Sequence, residues 1–366
     1  MLQHQELEVN MGPQHPATHG VLRLTLRLDG EKIVGVRPVI GYLHRGVEKL
    51  AENRGYPSIT PYTDRLDYCA AFAENLSYVG AVEKLIGVEA PPRAKYMRVV
   101  LAELQRIASH LVWLGTHAMD IGAQTVFLYA FREREKVLDL FEAYCGARLT
   151  YNAARIGGML NEFPDGFAPA VHAFLDELPA RIEQYETLLT NNRIWRQRVE
   201  GVGTIDAKTA LAYGMSGPSL RGSGIDYDVR KHCPYECYAD LEFDVPVGEH
   251  GDTYDRYLIR MEEMRQSRRI VLQALERMPD GPVLAKVPKR IKPAKGAEAY
   301  FASESPRGEM SVYLISDGTE KPYRIRFRSP CFCNLHALPV MAQGHLVADV
   351  VALIGTIDIV LGCVDR

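Results

Sequence analysis

The stretch "AKYMRVVLAELQRIASHLVWLGTHAMDIG", which follows Pro91-Pro92, sets the strongest limit on how this chain can fold. Proline suits the first turn of a helix, so the pair marks a start. The segment is apolar on most faces and mixes small with large side chains. A helix of that kind must be enclosed by other elements. Three further helices are expected in "TVFLYAFREREKVLDLFEAYCGARL", "FAPAVHAFLDELPARIEQYETLLTNN" and "DTYDRYLIRMEEMRQSRRIVLQALERM". The "REREK" charges predict a solvated or partner-facing stripe, and Pro179 predicts a kink or break. An earlier helix, "TDRLDYCAAFAENLSYVGAVEKL", is expected from Thr63 as N-cap, with Asp64 in its first turn, to about Leu85.

Strands frame the helices. Leu22, Leu24, Leu26 and Leu28 alternate with Arg23, Thr25 and Arg27, a period of two. Asp29-Gly30 supplies a hairpin turn and "KIVGVRPVIGYLHRG" the return strand. "EMSVYLISDG" and "PYRIRFRSP" read as a second hairpin. The expected fold class is α+β, mainly α: a long helix bundle with peripheral β-hairpins, one compact unit over 1–366. Its parts are the hairpin and loop of 1–62, core helices in 63–200, and a further helix, hairpin and C-terminal segment in 201–366. A glycine-rich linker is expected from Gly201 to Gly224.

The 366 residues, 47% hydrophobic, can bury a large core. With 43 basic and 46 acidic residues well mixed, nothing points to nucleic acid. The first ten residues are polar and do not resemble a signal peptide. "HLVADVVALIGTIDIVLGCV" is the most apolar stretch, but Asp349 and Asp358 would be costly in lipid, so a buried helix plus tail is expected. Seven cysteines, an odd number without an export signal, argue for reduced thiols. There is no C-x-x-C, and neither Cys233/Cys237 nor Cys331/Cys333 has a matching pair at zinc or iron–sulfur spacing, which favours structural thiols.

Three stretches carry candidate chemistry. In "GPQHPATHGVLRL", Pro13 and Pro16 stiffen a loop holding His15 and His19. Four-residue spacing aims two histidines at one metal only on a helix, and Pro16 lies between them. Backbone-bonded or proton-donating roles are therefore favoured over a metal site. In "PYTDRLDYCAAF", Asp64 and Asp67 suit a helix N-terminus and Arg65 can pair with a carboxylate. Tyr68, among small apolar neighbours, needs a partner for its hydroxyl, and a ligand carbonyl would serve. In "GTHAMDIGAQ", Asp120 lies between Met119 and Ile121 and must be paired or protonated. His117 is one turn earlier, and His19 could reach the acid from elsewhere in the chain. A carboxylate beside a histidine raises its pKa from about 6.5.

These stretches, with "GYLHRGVEKL", "YDRYLIRMEEMRQS", "GHLVADVVALIGTIDIV" and the terminal "VDR", resemble the 49 kDa (D) subunit family of respiratory complex I, the NADH–quinone oxidoreductase, over essentially the whole chain. The resemblance implies the fold of nickel–iron hydrogenase large subunits without the nickel site. "PYTDRLDY" and "IDIVLGCVDR" stand where hydrogenases carry their two C-x-x-C motifs. The vacated pocket becomes the inner end of a quinone tunnel. His19 and Tyr68 match the residues that hydrogen-bond the quinone carbonyls and, with Asp120, carry the catalytic role. Asp120 matches an acid paired with His19, Val360 matches a headgroup-lining residue, and His15 is expected with His19, Tyr68 and Val360 among the quinone-binding residues. Arg45, Arg65 and Thr150 match positions near the terminal 4Fe-4S cluster, which belongs to the neighbouring B subunit. Many relatives have histidine where Thr150 stands, and threonine cannot titrate, a weak pointer to a lower cluster potential.

The resemblance implies that the chain binds no cofactor of its own and takes quinone as substrate. It further implies partners in the B, C and I subunits and the membrane-embedded H subunit, in a proton-pumping, NAD-linked translocase at the cytoplasmic side of the bacterial inner membrane, and no activity alone. Two alternatives are a related complex fed by ferredoxin or reduced deazaflavin, and a scaffold subunit without substrate contact.

Overall fold

The computed structural model describes residues 6–366. Its spine is the Pro92–Asp120 helix, 29 residues long and buried on nearly every side. The Gln124–Cys145 and Thr253–Glu276 helices pack along it, and Val350–Ile357 closes on its C-terminal half. Leu101, Leu104, Ile107, Leu111 and Leu114 have no exposed surface. Each such side chain contributes about 1.5–3 kcal/mol of burial. The same helix buries charge, and does so in pairs. Glu103 accepts from Arg106 (3.1 Å), Arg230 (3.0 Å), Tyr238 (2.6 Å) and Ser267 (2.6 Å). Burial alone would push this carboxyl up, but the two guanidinium groups outweigh it and hold it at about 2.

The sheets sit at the periphery. Arg23–Asp29 and Lys32–Val39 form the expected hairpin, with Asp29 opposite Lys32 and Leu26 opposite Val36. Leu22 to Leu28 place their leucines inward, none more than 5% exposed. A strand not foreseen from the sequence, Leu7–Met11, pairs on the other side. The second sheet likewise has three antiparallel strands, Glu298–Ser305, Gly308–Ser316 and Pro322–Arg328, the first of them unforeseen. In both cases the missed strand is short or strongly polar, and cross-strand pairing rather than local pattern makes it a strand.

Three expectations are corrected. Thr63 does not cap a helix. It ends the Tyr56–Thr63 helix, its hydroxyl donating to the Thr60 carbonyl, and the next helix begins at Ala71. The intervening turn exists because Asp67 is drawn to a buried arginine, Arg307, 240 positions away, and a buried charge pair outweighs local helix preference. Pro179 does not break its helix, which runs through from Phe167 to Leu189. Residues 201–224 are not a linker: they hold two short helices, Ala207–Ala212 and Pro218–Arg221, and line the core. Arg221 is fully buried and bonds Glu304 (2.8 Å) and Glu263.

The C-terminal apolar stretch is buried from Val350 on, as two short helices, Val350–Ile357 and Leu361–Asp365, while Leu346 and Val347 at its start are exposed. Among the described residues no helix is long and apolar enough to cross a membrane. A smaller core joins this segment to the N-terminal hairpin: the leucines of Arg23–Asp29 pack with Leu353, Ile354 and Ile357. Asp365 fastens the join, its carboxylate accepting from the amides of Gly41 (2.9 Å) and Leu43 (2.8 Å). All seven cysteines are free thiols.

Candidate functional site

That join brings four separated segments to one cavity of about 190 Å³. Pro16 and His19 come from the proline-braced loop, and Tyr68 and Cys69 from the turn before Ala71. Val112, Thr116, Met119 and Asp120 come from the end of the long helix, and Asp358, Ile359 and Val360 from the C-terminal segment. Arg307 also lines the space. Thus His19, Tyr68, Asp120 and Val360 meet. The turn before Ala71 and the C-terminal segment thus both contribute walls to this cavity.

The loop geometry separates its two histidines. His15 caps the Pro16–Thr18 turn, its Nδ1 accepting from the Ala17 amide at 3.2 Å. His19 follows in the left-handed region (φ 50°). That conformation costs a non-glycine residue on the order of 1–3 kcal/mol and persists only where packing enforces it. It turns the His19 ring inward, where Nε2 is buried without a partner among the described residues. Burial lowers the His19 pKa; Asp358 opposes this and Arg307 adds to it. The ring is therefore neutral near pH 7, with an uncommitted nitrogen.

Tyr68 is pushed up to about 12, first by burial and then by Cys69 beside it. It stays a phenol, and its hydroxyl makes no hydrogen bond among the described residues. Burial raises Asp120 to about 6, with His15 as the opposing charge. The resting electrostatics therefore link Asp120 to His15, and His19 to Asp358, within one small space.

Behind the cavity lies a cluster that sequence reasoning missed. Arg307, 2% exposed, donates to Asp67 (2.9 Å), Ser109 (2.8 Å), the Asp358 carbonyl (2.8 Å) and the Asp358 carboxylate (3.2 Å). Glu74 beside it is wholly buried with both carboxyl oxygens unpartnered among the described residues. Burial raises its pKa well above the usual carboxylate range. Asp358 stands out in the sequence only as a charge in an apolar run. Arg307, in "ESPRGEM", gives no local signal at all.

His117 is structural in its surroundings. It stacks on Trp113 (centroids 5.3 Å apart) and meets Trp195 edge-on at 5.5 Å. Burial drives it down to about 3, helped by Arg260 and His19. A Cβ on Gly355 would run into the His117 ring, while the Gly355 carbonyl accepts from Trp113 Nε1 at 2.7 Å. Gly355→Ala should therefore cost about 1–3 kcal/mol by overpacking, read as a lower denaturant midpoint; an unchanged midpoint would contradict this packing.

Arg45, Arg65 and Thr150 do not line the cavity. Arg45 Nη2 donates to the Gly362 carbonyl (3.2 Å) with Tyr68 in its electrostatic range. Arg65 is half-exposed, donating to the Pro61 carbonyl at 2.6 Å. Thr150 lies in the loop before the Ala154–Arg155 strand, next to Tyr151, which stacks on Phe141 at 3.9 Å. Among the described residues, no group of three or more His, Cys, Asp or Glu side chains is placed to hold a metal ion.

The fold and cavity define a class: a mainly helical α+β protein whose inner pocket gathers proton-bearing side chains over a buried ion cluster. The family model described as "Respiratory-chain NADH dehydrogenase, 49 Kd subunit" matches residues 120–297 and 289–366. The chain is 56% identical over 361 residues to the second D subunit (D 2) of NADH-quinone oxidoreductase from Solibacter usitatus, covering 99% of this chain and 97% of that protein. It is 52% identical over 384 residues to the NADH-quinone oxidoreductase D subunit of Geotalea uraniireducens (98% of each). It is 50% identical over 390 residues to the D subunit of Trichlorobacter lovleyi (100% of each). The chain belongs to the 49 kDa subunit family of the respiratory-chain NADH dehydrogenase.

Proposed function

We propose that this chain is the quinone-site subunit of a proton-pumping NADH–quinone oxidoreductase, and that its cavity receives the quinone headgroup. The observation that supports this is the convergence of His19, Tyr68, Asp120 and Val360 on a cavity of about 190 Å³. That is below the roughly 300–1,000 Å³ of drug-sized pockets, and suits one substituted ring, with an isoprenoid tail outside. Tyr68 donates to one carbonyl and His19 Nε2 faces the other. Two electrons from a 4Fe-4S cluster on the neighbouring B subunit, on the side of Arg45, Arg65 and Thr150, leave the ring needing two protons. Tyr68 supplies one and His19 the other. Asp120, with His15 beside it, is the acid whose negative charge favours a protonated His19 during turnover. The B, C, I and H subunits hold the chain at the cytoplasmic face of the bacterial inner membrane. NADH is oxidised elsewhere in the complex.

A photoreactive quinone added to membranes should label the Tyr68 or Val360 segments, and excess quinone should compete. Labelling confined to other subunits would favour a scaffold role instead.

The Asp120 pKa near 6 gives the proposal a pH signature. Below about pH 6 Asp120 takes a proton and stops supporting a charged His19. Quinone reduction should therefore fall as pH drops through 6. Asp120→Asn should be slow and flat across the same range. A variant with a wild-type profile would remove Asp120 from the mechanism.

A further inference from the structure

We propose that the strap formed by residues 282–295 docks an acidic, partly apolar chain segment of a neighbouring subunit. The inference is independent of how the quinone cavity is read. The strap, "PVLAKVPKRIKPAK", holds four lysines and one arginine and no acid. It has no helix or strand of its own, but it is fixed in place. Met159 N donates to the Val283 carbonyl and Ala285 N to the Gly157 carbonyl, both at 2.8 Å. A Cβ on Gly158 would strike the Val283 carbonyl, and Val287 presses on Gly157 in the same way. Two glycines therefore let the strap lie directly on the Ala154–Arg155/Gly158–Met159 hairpin. Ile291, 5% exposed, pins its far end.

Three features of this anchored strap call for an occupant. Between it and the Tyr56–Thr63 helix lies a cavity of about 700 Å³, far larger than the proposed quinone cavity. Its walls are mainly apolar, Ile156, Met159, Leu160 and Val287 among them, and Leu284 stands 48% exposed on its rim. Next, the cations are largely unanswered. Glu320 lies 3.8 Å from Arg290 and 3.5 Å from Lys292, whereas Lys286, Lys289 and Lys295 have no ion pair among the described residues. Last, the main-chain groups from Lys286 to Lys292 make no backbone hydrogen bond among the described residues. An extended chain could pair with them as an added strand.

An apolar groove, a row of cations and open main-chain groups together fit a peptide with carboxylates on one side and apolar side chains on the other. A lipid headgroup would satisfy the cations but not the main chain. Charge of this kind steers encounter and fixes register more than it adds affinity.

Carbodiimide treatment of the intact membrane complex, which joins amines to carboxylates without a spacer, tests this. Lys286, Lys289 or Lys292 should be found joined to Asp or Glu of another subunit. Acetylation of the same lysines should be several-fold slower in the complex than in the isolated chain. Lys286→Gln with Lys289→Gln and Lys292→Gln, which leaves the apolar anchors in place, should loosen that subunit at moderate salt. Crosslinks only to Glu320 or Asp317 of this chain, or lysines equally reactive in both states, would overturn the proposal. Protection that disappears on removing lipid while all subunits remain would overturn it too, and assign the strap to the membrane surface.

Discussion

Arg307→Met should destabilise this chain severely. The guanidinium is wholly enclosed and answers Asp67, Ser109 and Asp358 at once. Methionine fills much of the volume but takes from Asp67 and Asp358 in the core their ion-pair partner. Removing one partner of a buried ion pair costs about 3–5 kcal/mol, a large share of a typical stability of roughly 5–15 kcal/mol. The loss has a predictable sign with pH. Burial already raises the Asp67 pKa, and Arg307 opposes that rise. Without Arg307 the carboxyl is pushed higher still. A group with a raised folded pKa stabilises at low pH and loses that contribution as pH rises. The deficit of the variant should thus be largest near neutrality and shrink in acid. Denaturant midpoints of wild type and variant across that range measure it, and a constant difference would mean that the carboxylates are answered some other way.

Tyr68→Phe should do the opposite: leave the fold and assembly intact and slow quinone reduction severely. The ring keeps its packing and only the hydroxyl goes, a hydroxyl with no hydrogen-bond partner among the described residues to orphan. Losing one hydrogen bond accounts for about 0.5–1.5 kcal/mol in binding. Losing a positioned proton donor costs on the order of 100-fold in rate. The fall in quinone turnover should therefore far exceed the change in apparent affinity. Electron transfer from NADH to an artificial acceptor upstream should be unchanged. Normal quinone turnover would remove Tyr68 from the site.

What is legible in the sequence follows period and composition. The long Pro92–Asp120 helix is legible because its apolar residues cover most faces and Pro91-Pro92 marks its start. The leucine hairpin is legible from strict alternation. Asp67 looks locally like a helix-dipole residue because its true partner, Arg307, is 240 positions away. The same distance hides the turn that presents Tyr68. Residues 201–224 mislead because glycine content signals flexibility locally, whereas here Arg221 is locked by Glu263 and Glu304. Of the site, His19, Tyr68, Asp120 and Val360 are legible through the family motifs, and they do share one cavity. The ion cluster that supports them is not, since no local pattern encodes a contact between a sheet turn and a C-terminal loop.

The clamp between Asp365 and the amide of Gly41 spans 324 positions, and the cavity lies just inside it. During synthesis the histidine loop emerges before residues 358–365 and at first has nothing to close against. Its opposing wall, Asp358 to Val360, lies some 340 residues further along the chain. No nascent chain that still holds residues 358–365 in the exit tunnel can present the pocket, and a partner that recognises the closed pocket passes over every such chain.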